Sequence, residues 1–181
     1  MPDRFASKKV LIAPLNWGLG HATRSVPIAR AMLRKGWRVH LASNGEALEV
    51  LRDTFPTAPY LELPGYGVRY PYTQMALNLL RYGARMYRAI RMERTRVRAY
   101  CRREGIRLVI SDNRYGCRTP FTANVLVAHQ LHLKADNPIA AWAANSIQRQ
   151  WIRQFDFVWV PDFPRSPGLG GDLSHPPISD H

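Results

Sequence analysis

The sequence has few acidic residues and twice as many basic ones. It contains 13 Asp and Glu against 26 Lys and Arg, which gives a formal net charge of +13. An excess of this size indicates anionic partners such as a phosphorylated substrate, an acidic membrane surface or nucleic acid. A solvated, arginine-rich surface accounts for the charge equally well. Nucleic acid is not expected, because no DNA- or RNA-binding motif accompanies the charge.

The chain also lacks a cysteine framework and long apolar runs. Its two cysteines, Cys101 and Cys117, have neither the spacing of a metal site nor a partner pattern typical of disulfides. Two unpaired thiols favour a reducing compartment. No apolar run approaches the roughly 20 residues of a membrane-spanning helix, and residues 1–7 lack the apolar core of a signal peptide. These absences predict a cytoplasmic protein that can still lie at the inner face of the membrane.

Short apolar runs alternate with amphipathic stretches along most of the chain. Strands are predicted at residues 10–13, 37–42, 60–63, 107–111, 124–128 and 157–160. Helices are predicted at residues 21–35, 46–54, 73–104 (one helix, or two joined near Gly83) and 138–154. Continuously apolar strands interleaved with helices are typical of parallel sheets covered on both faces. The pattern therefore predicts an α/β fold with a Rossmann-like, doubly wound parallel sheet.

The last 20 residues differ from the rest. Residues 162–181 are dense in proline and glycine and have no apolar period. Such composition is typical of linkers and tails. The expected organisation is therefore one domain at residues 1–161 and a linker or tail at residues 162–181.

Polar residues follow five of the predicted strands. Because ligands bind outside the carboxyl ends of parallel strands, these residues form the candidate site. The first strand is followed by Gly18, Leu19, Gly20, His21, Thr23 and Arg24; the second by Asn44; the third by Tyr66; the fourth by Asp112, Asn113 and Arg114; and the fifth by His129 and Gln130.

The loop after the first strand is suited to an anion. Gly18 and Gly20 permit a tight turn in which backbone N–H groups at a helix start face a negatively charged group. Ala22 and Thr23 occupy the third-glycine region of the dinucleotide-binding fingerprint, and the Gly-Lys-Ser/Thr of a Walker loop is missing. Hydride transfer and NTP hydrolysis are therefore disfavoured.

His21 is the most informative residue of this loop. A histidine at a helix start lies in the positive field of the helix dipole, which favours the neutral imidazole that can accept a proton. The residue patterns leave two interpretations open. His21 acts as a general base, or it caps the helix and orders the loop.

The string PLNWGLGHATR at residues 14–24 resembles the amino-terminal loop of GT-B glycosyltransferases of the MurG-like group (glycosyltransferase family 28). There, a glycine-rich turn ends in Gly-His at a helix start. Residues 110–116 resemble the family more weakly, and elsewhere the likeness is in the order of elements. The resemblance implies a GT-B architecture of two Rossmann-like domains, of which this chain is the amino-terminal, acceptor-side one.

The resemblance also implies an activity. A GT-B glycosyltransferase moves a hexose from a nucleotide sugar, here a UDP-sugar, to a hydroxyl of a lipid-linked, phosphorylated or saccharide acceptor, without an essential metal or other cofactor. Gly18 and Gly20 match the glycine turn and His21 the loop histidine, with Asp112 placed to orient the acceptor or assist the base. The sequence departs from the family at Asn16 and Trp17, where small residues are usual, so the loop is expected to admit diphosphate less readily.

The donor-binding half of the family pattern is not found in the sequence. The chain is therefore expected to be a truncated form, or to work with a separate donor-binding subunit. Two alternatives stay open. One is a non-catalytic, membrane-associated scaffold for such a subunit. The other is a phosphate- or nucleotide-binding Rossmann module of another enzyme class.

Arginines crowd the longest predicted helix, with apolar and tyrosine residues between them. This pattern is typical of a peripheral membrane protein whose helix binds anionic lipid head groups. It is equally typical of an ordinary solvated helix face. The arginines are Arg81, Arg85, Arg88, Arg91, Arg94, Arg96, Arg98, Arg102 and Arg103.

Overall fold

The computed structural model describes residues 8–66, 75–128 and 138–162. These residues form six strands and four helices, which alternate except that β5 follows β4 directly. The strands are β1 (Lys9–Pro14), β2 (Arg38–Ser43), β3 (Tyr60–Glu62), β4 (Leu108–Asp112), β5 (Ala123–Val127) and β6 (Phe157–Trp159). The helices are α1 (Leu19–Arg34), α2 (Gly45–Thr54), α3 (Met75–Glu104) and α4 (Pro138–Ile152).

All five strand pairings are parallel, in the order β3-β2-β1-β4-β5-β6. From β1 the chain winds outward through β2 to β3, and it then returns to place β4 on the other side of β1. The order therefore reverses between β1 and β4, and a crevice at the carboxyl ends of the strands forms at such a reversal. Pro14 lies opposite Asp112 in this pairing, so the chain leaves both strands at the same level.

Helices cover both faces of the sheet because alternate strand residues are buried on opposite sides. Val10 and Ile12 pack with Ala29 of α1 and Leu51 of α2 on one face. On the other face, the neighbouring residues of β1 pack with α3. That second cluster includes Leu11, Ala13, Val97, Tyr100, Cys101, Val109 and Cys117. Fully burying one side chain of the size of Ile12 contributes about 1.5–3 kcal/mol, so the central strands anchor the domain.

The fold class predicted from the sequence is confirmed. Each predicted strand overlaps an observed one, and residues 75–104 form one helix that continues through Gly83 rather than two helices. None of the helices in residues 8–66, 75–128 and 138–162 has a stretch long and apolar enough to cross a membrane. Nearly all of the predicted tail, residues 163–181, lies outside the described residues.

Both cysteines are free thiols in the core, and this predicts low reactivity. Burial raises the pKa of Cys101 to about 12 and, helped by the negative charge of Glu93, raises the pKa of Cys117 well above its usual value. The thiolate is the reactive form, so at mildly alkaline pH the native protein should react with iodoacetamide at least about tenfold more slowly than free cysteine.

Mass spectrometry of the alkylated protein measures this rate. The same protein unfolded in denaturant is the control, and it should be alkylated at both thiols at the rate of free cysteine. Rapid alkylation of either thiol in the native protein would show that the core around α3 opens readily.

Candidate active site

The loop after β1 turns the chain sharply into α1. Leu15 follows the strand, and its backbone N–H donates to the carbonyl oxygen of Asp112 over 2.9 Å, which ties the loop to the end of β4. Gly18 precedes α1 with a φ of 78° and a ψ of 163°, a conformation that side-chain-bearing residues rarely adopt. Gly18 therefore allows α1 to begin at Leu19 and places His21 in its first turn.

His21 meets Asp112 at the carboxyl edge of the sheet. Nδ1 of His21 lies 2.9 Å from Oδ1 of Asp112. The two residues come from the segments that follow β1 and end β4, so their contact spans the point where the strand order reverses. The side chain of His21 is 12% exposed and that of Asp112 is 2% exposed. The imidazole thus has a polar partner at the site.

Arg24, one turn further along α1, completes a cluster of three side chains. Its Nε donates to Oδ2 of Asp112 over 2.5 Å, and its Nη2 donates to Oδ1. Nη2 also lies 2.7 Å from Nδ1 of His21. A carboxylate that is almost fully buried needs charged or hydrogen-bonding partners, and the guanidinium supplies two contacts. Arg24 was expected to bind phosphate; in this structure it neutralises Asp112.

Arg114 lies beneath the site rather than in it. It is fully buried, and its Nη1 forms an ion pair with Oε1 of Glu93 over 2.6 Å. Its Nε donates to the carbonyl oxygen of Pro14 over 2.9 Å, and its Nη2 donates to Oδ1 of Asn44. Arg114 therefore holds the ends of β1 and β2 in place. Arg114 was placed in the candidate site, and in this structure its buried guanidinium contacts protein acceptors.

Tyr66 belongs to the same buried network. It is 5% exposed, and its hydroxyl donates to Oε2 of Glu93 over 2.7 Å. Burial, followed by the negative charge of Glu93, raises the pKa of Tyr66 well above its usual value, so the phenol stays protonated as the donor. The backbone N–H of Gly116 donates to the same oxygen over 3.0 Å. Tyr66 follows the third strand as expected, and its hydroxyl and ring contact Glu93 and Trp17 respectively.

Gly116 is required by this close packing. A Cβ atom at this position would lie 2.5 Å from Oε2 of Glu93 and 2.5 Å from the carbonyl oxygen of Ile90. Any side chain would therefore push the loop after β4 away from α3. The position admits glycine because the buried carboxylate comes so close to the backbone.

The remaining predicted site residues fall into three groups. Leu19, Gly20 and Thr23 are exposed at the start of α1, and the Thr23 hydroxyl donates to the carbonyl oxygen of Leu19 over 3.0 Å. Asn44 precedes α2, and Asn113 adopts a left-handed φ of 55° directly after β4. His129 and Gln130 lie outside the described residues, so their acceptor contact stays a prediction.

The residues that depart from the resembled loop have structural contacts. Oδ1 of Asn16 accepts the backbone N–H of Ala47 over 3.2 Å at the start of α2. The ring of Trp17 meets that of Tyr66 edge-on, with 6.4 Å between the ring centroids. The loop is therefore braced against α2 and against the buried network, which small residues in these positions would not achieve.

Sequence reasoning missed Glu93, the anion at the centre of the buried network. Glu93 is fully buried on α3 and binds Arg114, Tyr66 and Gly116. A signal was present, because Glu93 is the one acidic residue in the arginine-rich sequence 75–103. A single carboxylate among so many cations points to a specific partner. Among the described residues, no group of three His, Cys, Asp or Glu side chains is placed to hold a metal ion, and a metal-free reaction stays a prediction.

Comparison with solved structures identifies the fold. MurG from Acinetobacter baumannii superimposes with a TM-score of 0.52 at 14% identity, over 88% of this chain and 43% of that one. The calicheamicin glycosyltransferase CalG4 gives 0.54 at 11% identity, over 81% of this chain and 43% of that one. Glycosyltransferase VinC, solved in complex with dTDP, gives a TM-score of 0.50 at 17% identity, over 81% of this chain and 38% of that one. The chain has the Rossmann-like fold of a GT-B glycosyltransferase domain.

This GT-B-like domain spans about 43% of the length of the MurG and CalG4 chains. No family model matches the sequence, and no curated protein matches it. The likeness therefore lies in the fold. Within that fold, His21 and Asp112 lie at the edge where ligands of such sheets bind.

Proposed function

We propose that this chain is the acceptor-side domain of a nucleotide-sugar glycosyltransferase in which His21 is the catalytic base. The observation that carries the proposal is the 2.9 Å contact between His21 and Asp112 across the β1–β4 reversal. A histidine whose second nitrogen is held by a buried carboxylate is the arrangement that general bases share. The fold supports the same conclusion at a coarser level, because its solved neighbours are glycosyltransferases.

The proposed reaction is a single displacement at the anomeric carbon. The acceptor hydroxyl gives its proton to Nε2 of His21 while its oxygen bonds to the anomeric carbon. The bond from that carbon to the diphosphate breaks, and both electrons stay on the nucleotide. Asp112 lies 2.9 Å from Nδ1 of His21; in the reacting tautomer it accepts the Nδ1 proton and stabilises the imidazolium that forms. The imidazolium then returns its proton to water, and the sugar carbon has inverted its configuration.

We propose that a second domain, in the same polypeptide or another, binds the nucleotide sugar, in this proposal a UDP-sugar. The solved neighbours are more than twice as long as their matched region, which supports this division. Residues 1–161 are then the acceptor-side domain and residues 162–181 the linker or tail. The acceptor is a lipid-linked, phosphorylated or saccharide alcohol.

The test is sugar transfer by a protein that unites this domain with a donor-binding domain. Radiolabelled UDP-sugars are offered together with lipid and saccharide acceptors, and labelled product is measured. The present chain alone serves as the matched control and should give none. Tight binding of a UDP-sugar by this chain alone would contradict the division, and would favour a nucleotide-binding module of another class.

A second candidate function rests on the outer face of α3. In residues 85–104, the part of this helix whose side chains the structure describes, eight arginines are exposed and the acidic residues are the buried Glu93 and the terminal Glu104. Tyr87 and Met92 are each about half exposed between them. The exposed arginines are Arg85, Arg88, Arg91, Arg94, Arg96, Arg98, Arg102 and Arg103. We propose that this face lies against anionic lipid, with the chain as a peripheral membrane protein.

Vesicle sedimentation tests the lipid surface. The chain should sediment with phosphatidylglycerol vesicles at low salt and not with phosphatidylcholine vesicles, and high salt should release it. Replacing Arg88, Arg91 and Arg98 together by Gln should weaken binding at least about tenfold, since each basic residue near a membrane contributes about 1 kcal/mol.

The matched control removes three exposed charges at the end of α1 and at its C-cap, by replacing Arg30, Arg34 and Lys35 with Gln. This variant should bind nearly as well as the unchanged chain. Equal losses in the two triple variants would mean that net charge, rather than the α3 face, attracts the protein to lipid.

A further inference from the structure

Two contacts of His21 require different protonation states of the same nitrogen, Nδ1. Nδ1 lies 2.9 Å from Oδ1 of Asp112 and 2.7 Å from Nη2 of Arg24. A carboxylate accepts hydrogen bonds, whereas a guanidinium has donors and no acceptor. The contact with Asp112 therefore needs a proton on Nδ1, and the contact with Arg24 needs a lone pair there. A neutral imidazole satisfies one of them at a time.

Arg24 contacts both carboxylate oxygens of Asp112, whereas His21 contacts one. It contacts both oxygens of Asp112 in the two-point geometry that arginine and carboxylate share, with Nε 2.5 Å from Oδ2. The oxygen that the Nδ1 proton would use also accepts from Nη2 of Arg24. A guanidinium has N–H donors and no acceptor, so Arg24 presents a donor to Nδ1 whenever it lies there.

We propose that Arg24 is a positioning residue that sets the tautomer of His21. While the guanidinium lies against Nδ1 and Asp112, Nδ1 is the acceptor and Nε2 carries the proton. When the guanidinium moves away, the proton relocates to Nδ1, where it bonds to Asp112, and the lone pair passes to Nε2.

The consequence for catalysis rests on the proposed function, although the tautomer itself does not. A base that accepts the acceptor proton at Nε2 needs the lone pair on that nitrogen. Arg24 must therefore leave Nδ1 before His21 can act. It is the member of the cluster most able to move, since its side chain is 27% exposed against 12% for His21 and 2% for Asp112. The Arg24 contact thus keeps the histidine inactive until the site is rearranged.

Nitrogen-15 NMR of the whole chain tests the inference. Long-range proton–nitrogen spectra distinguish protonated from unprotonated ring nitrogens, and a His21→Gln variant assigns the His21 signals among the six histidines. Spectra are taken at about pH 8.5, where ordinary histidines are neutral. The unchanged chain should show the proton of His21 on Nε2. The Arg24→Met variant, which removes every donor but keeps much of the side-chain length, should show it on Nδ1.

Arg30→Met is the matched control, since Arg30 is exposed on the same helix. It should leave the His21 signals unchanged. Two results would overturn the inference: a proton on Nδ1 in the unchanged chain, or the same tautomer in the unchanged chain and in Arg24→Met. The first can be read even if Arg24→Met fails to fold. Neither requires sugar transfer, so a failure here is distinct from a failure of the proposed reaction.

Discussion

Replacing His21 with alanine lowers kcat for sugar transfer by about 10²–10⁴-fold, which is the usual contribution of a positioned general base. The variant removes the group that takes the acceptor proton, so the hydroxyl must attack while still protonated. KM for the acceptor changes less, because the ring acts on the transition state more than on the bound substrate. The measurement is steady-state transfer by the protein that joins this domain to a donor-binding domain.

Two further variants make this result specific. Arg30→Ala, at an exposed position of α1, should transfer sugar at the unchanged rate. Asp112→Asn should lower kcat, because a neutral amide does not stabilise the imidazolium that Asp112 contacts. Unchanged transfer by His21→Ala would remove His21 from catalysis. The non-catalytic scaffold would then be the better account of the chain.

Replacing Glu93 with glutamine should lower the free energy of unfolding by about 3–5 kcal/mol, the usual cost of leaving one charge of a buried ion pair without its partner. Glu93 and Arg114 are both fully buried and lie 2.6 Å apart. Glutamine keeps the size of the side chain but leaves the Arg114 guanidinium as an uncompensated cation. Urea-induced unfolding followed by circular dichroism gives the two free energies.

The chain offers a matched control for this prediction. Glu104→Gln removes the partner of Arg103 at the exposed end of α3, and it should change stability little because water screens such pairs. The double variant Glu93→Gln/Arg114→Met should lose less than the sum of the two single variants, since it removes the stranded charge. A stability loss for Glu93→Gln as small as that for Glu104→Gln would mean that water reaches the buried pair.

The sheet could be predicted because its signals are local. Apolar runs such as residues 10–13 and 107–111, each followed by turn residues, indicate buried parallel strands without any knowledge of distant contacts. The edge that holds His21 and Asp112 also followed from the sequence, since parallel strands place their carboxyl ends together. The structure brings those two side chains into contact. Their catalytic role stays a prediction.

The partners of the arginines could not be predicted in this way. Arg24 and Arg114 each follow a predicted strand, and the sequence placed both in the candidate site. The structure directs Arg24 onto Asp112 and buries Arg114 against Glu93, residues that are 88 and 21 positions away in the chain.

The sequence by itself determined the order of the strands and helices and the edge of the sheet where chemistry can occur. Hydrophobic periodicity is repeated over many residues, so it can be recognised in the sequence without tertiary information. The tertiary structure alone decided which arginines contact carboxylates of the protein, as Arg24 contacts Asp112 and Arg114 contacts Glu93. A guanidinium binds whichever anion the fold brings within about 3 Å, and that distance depends on how α1 and α3 pack against the sheet.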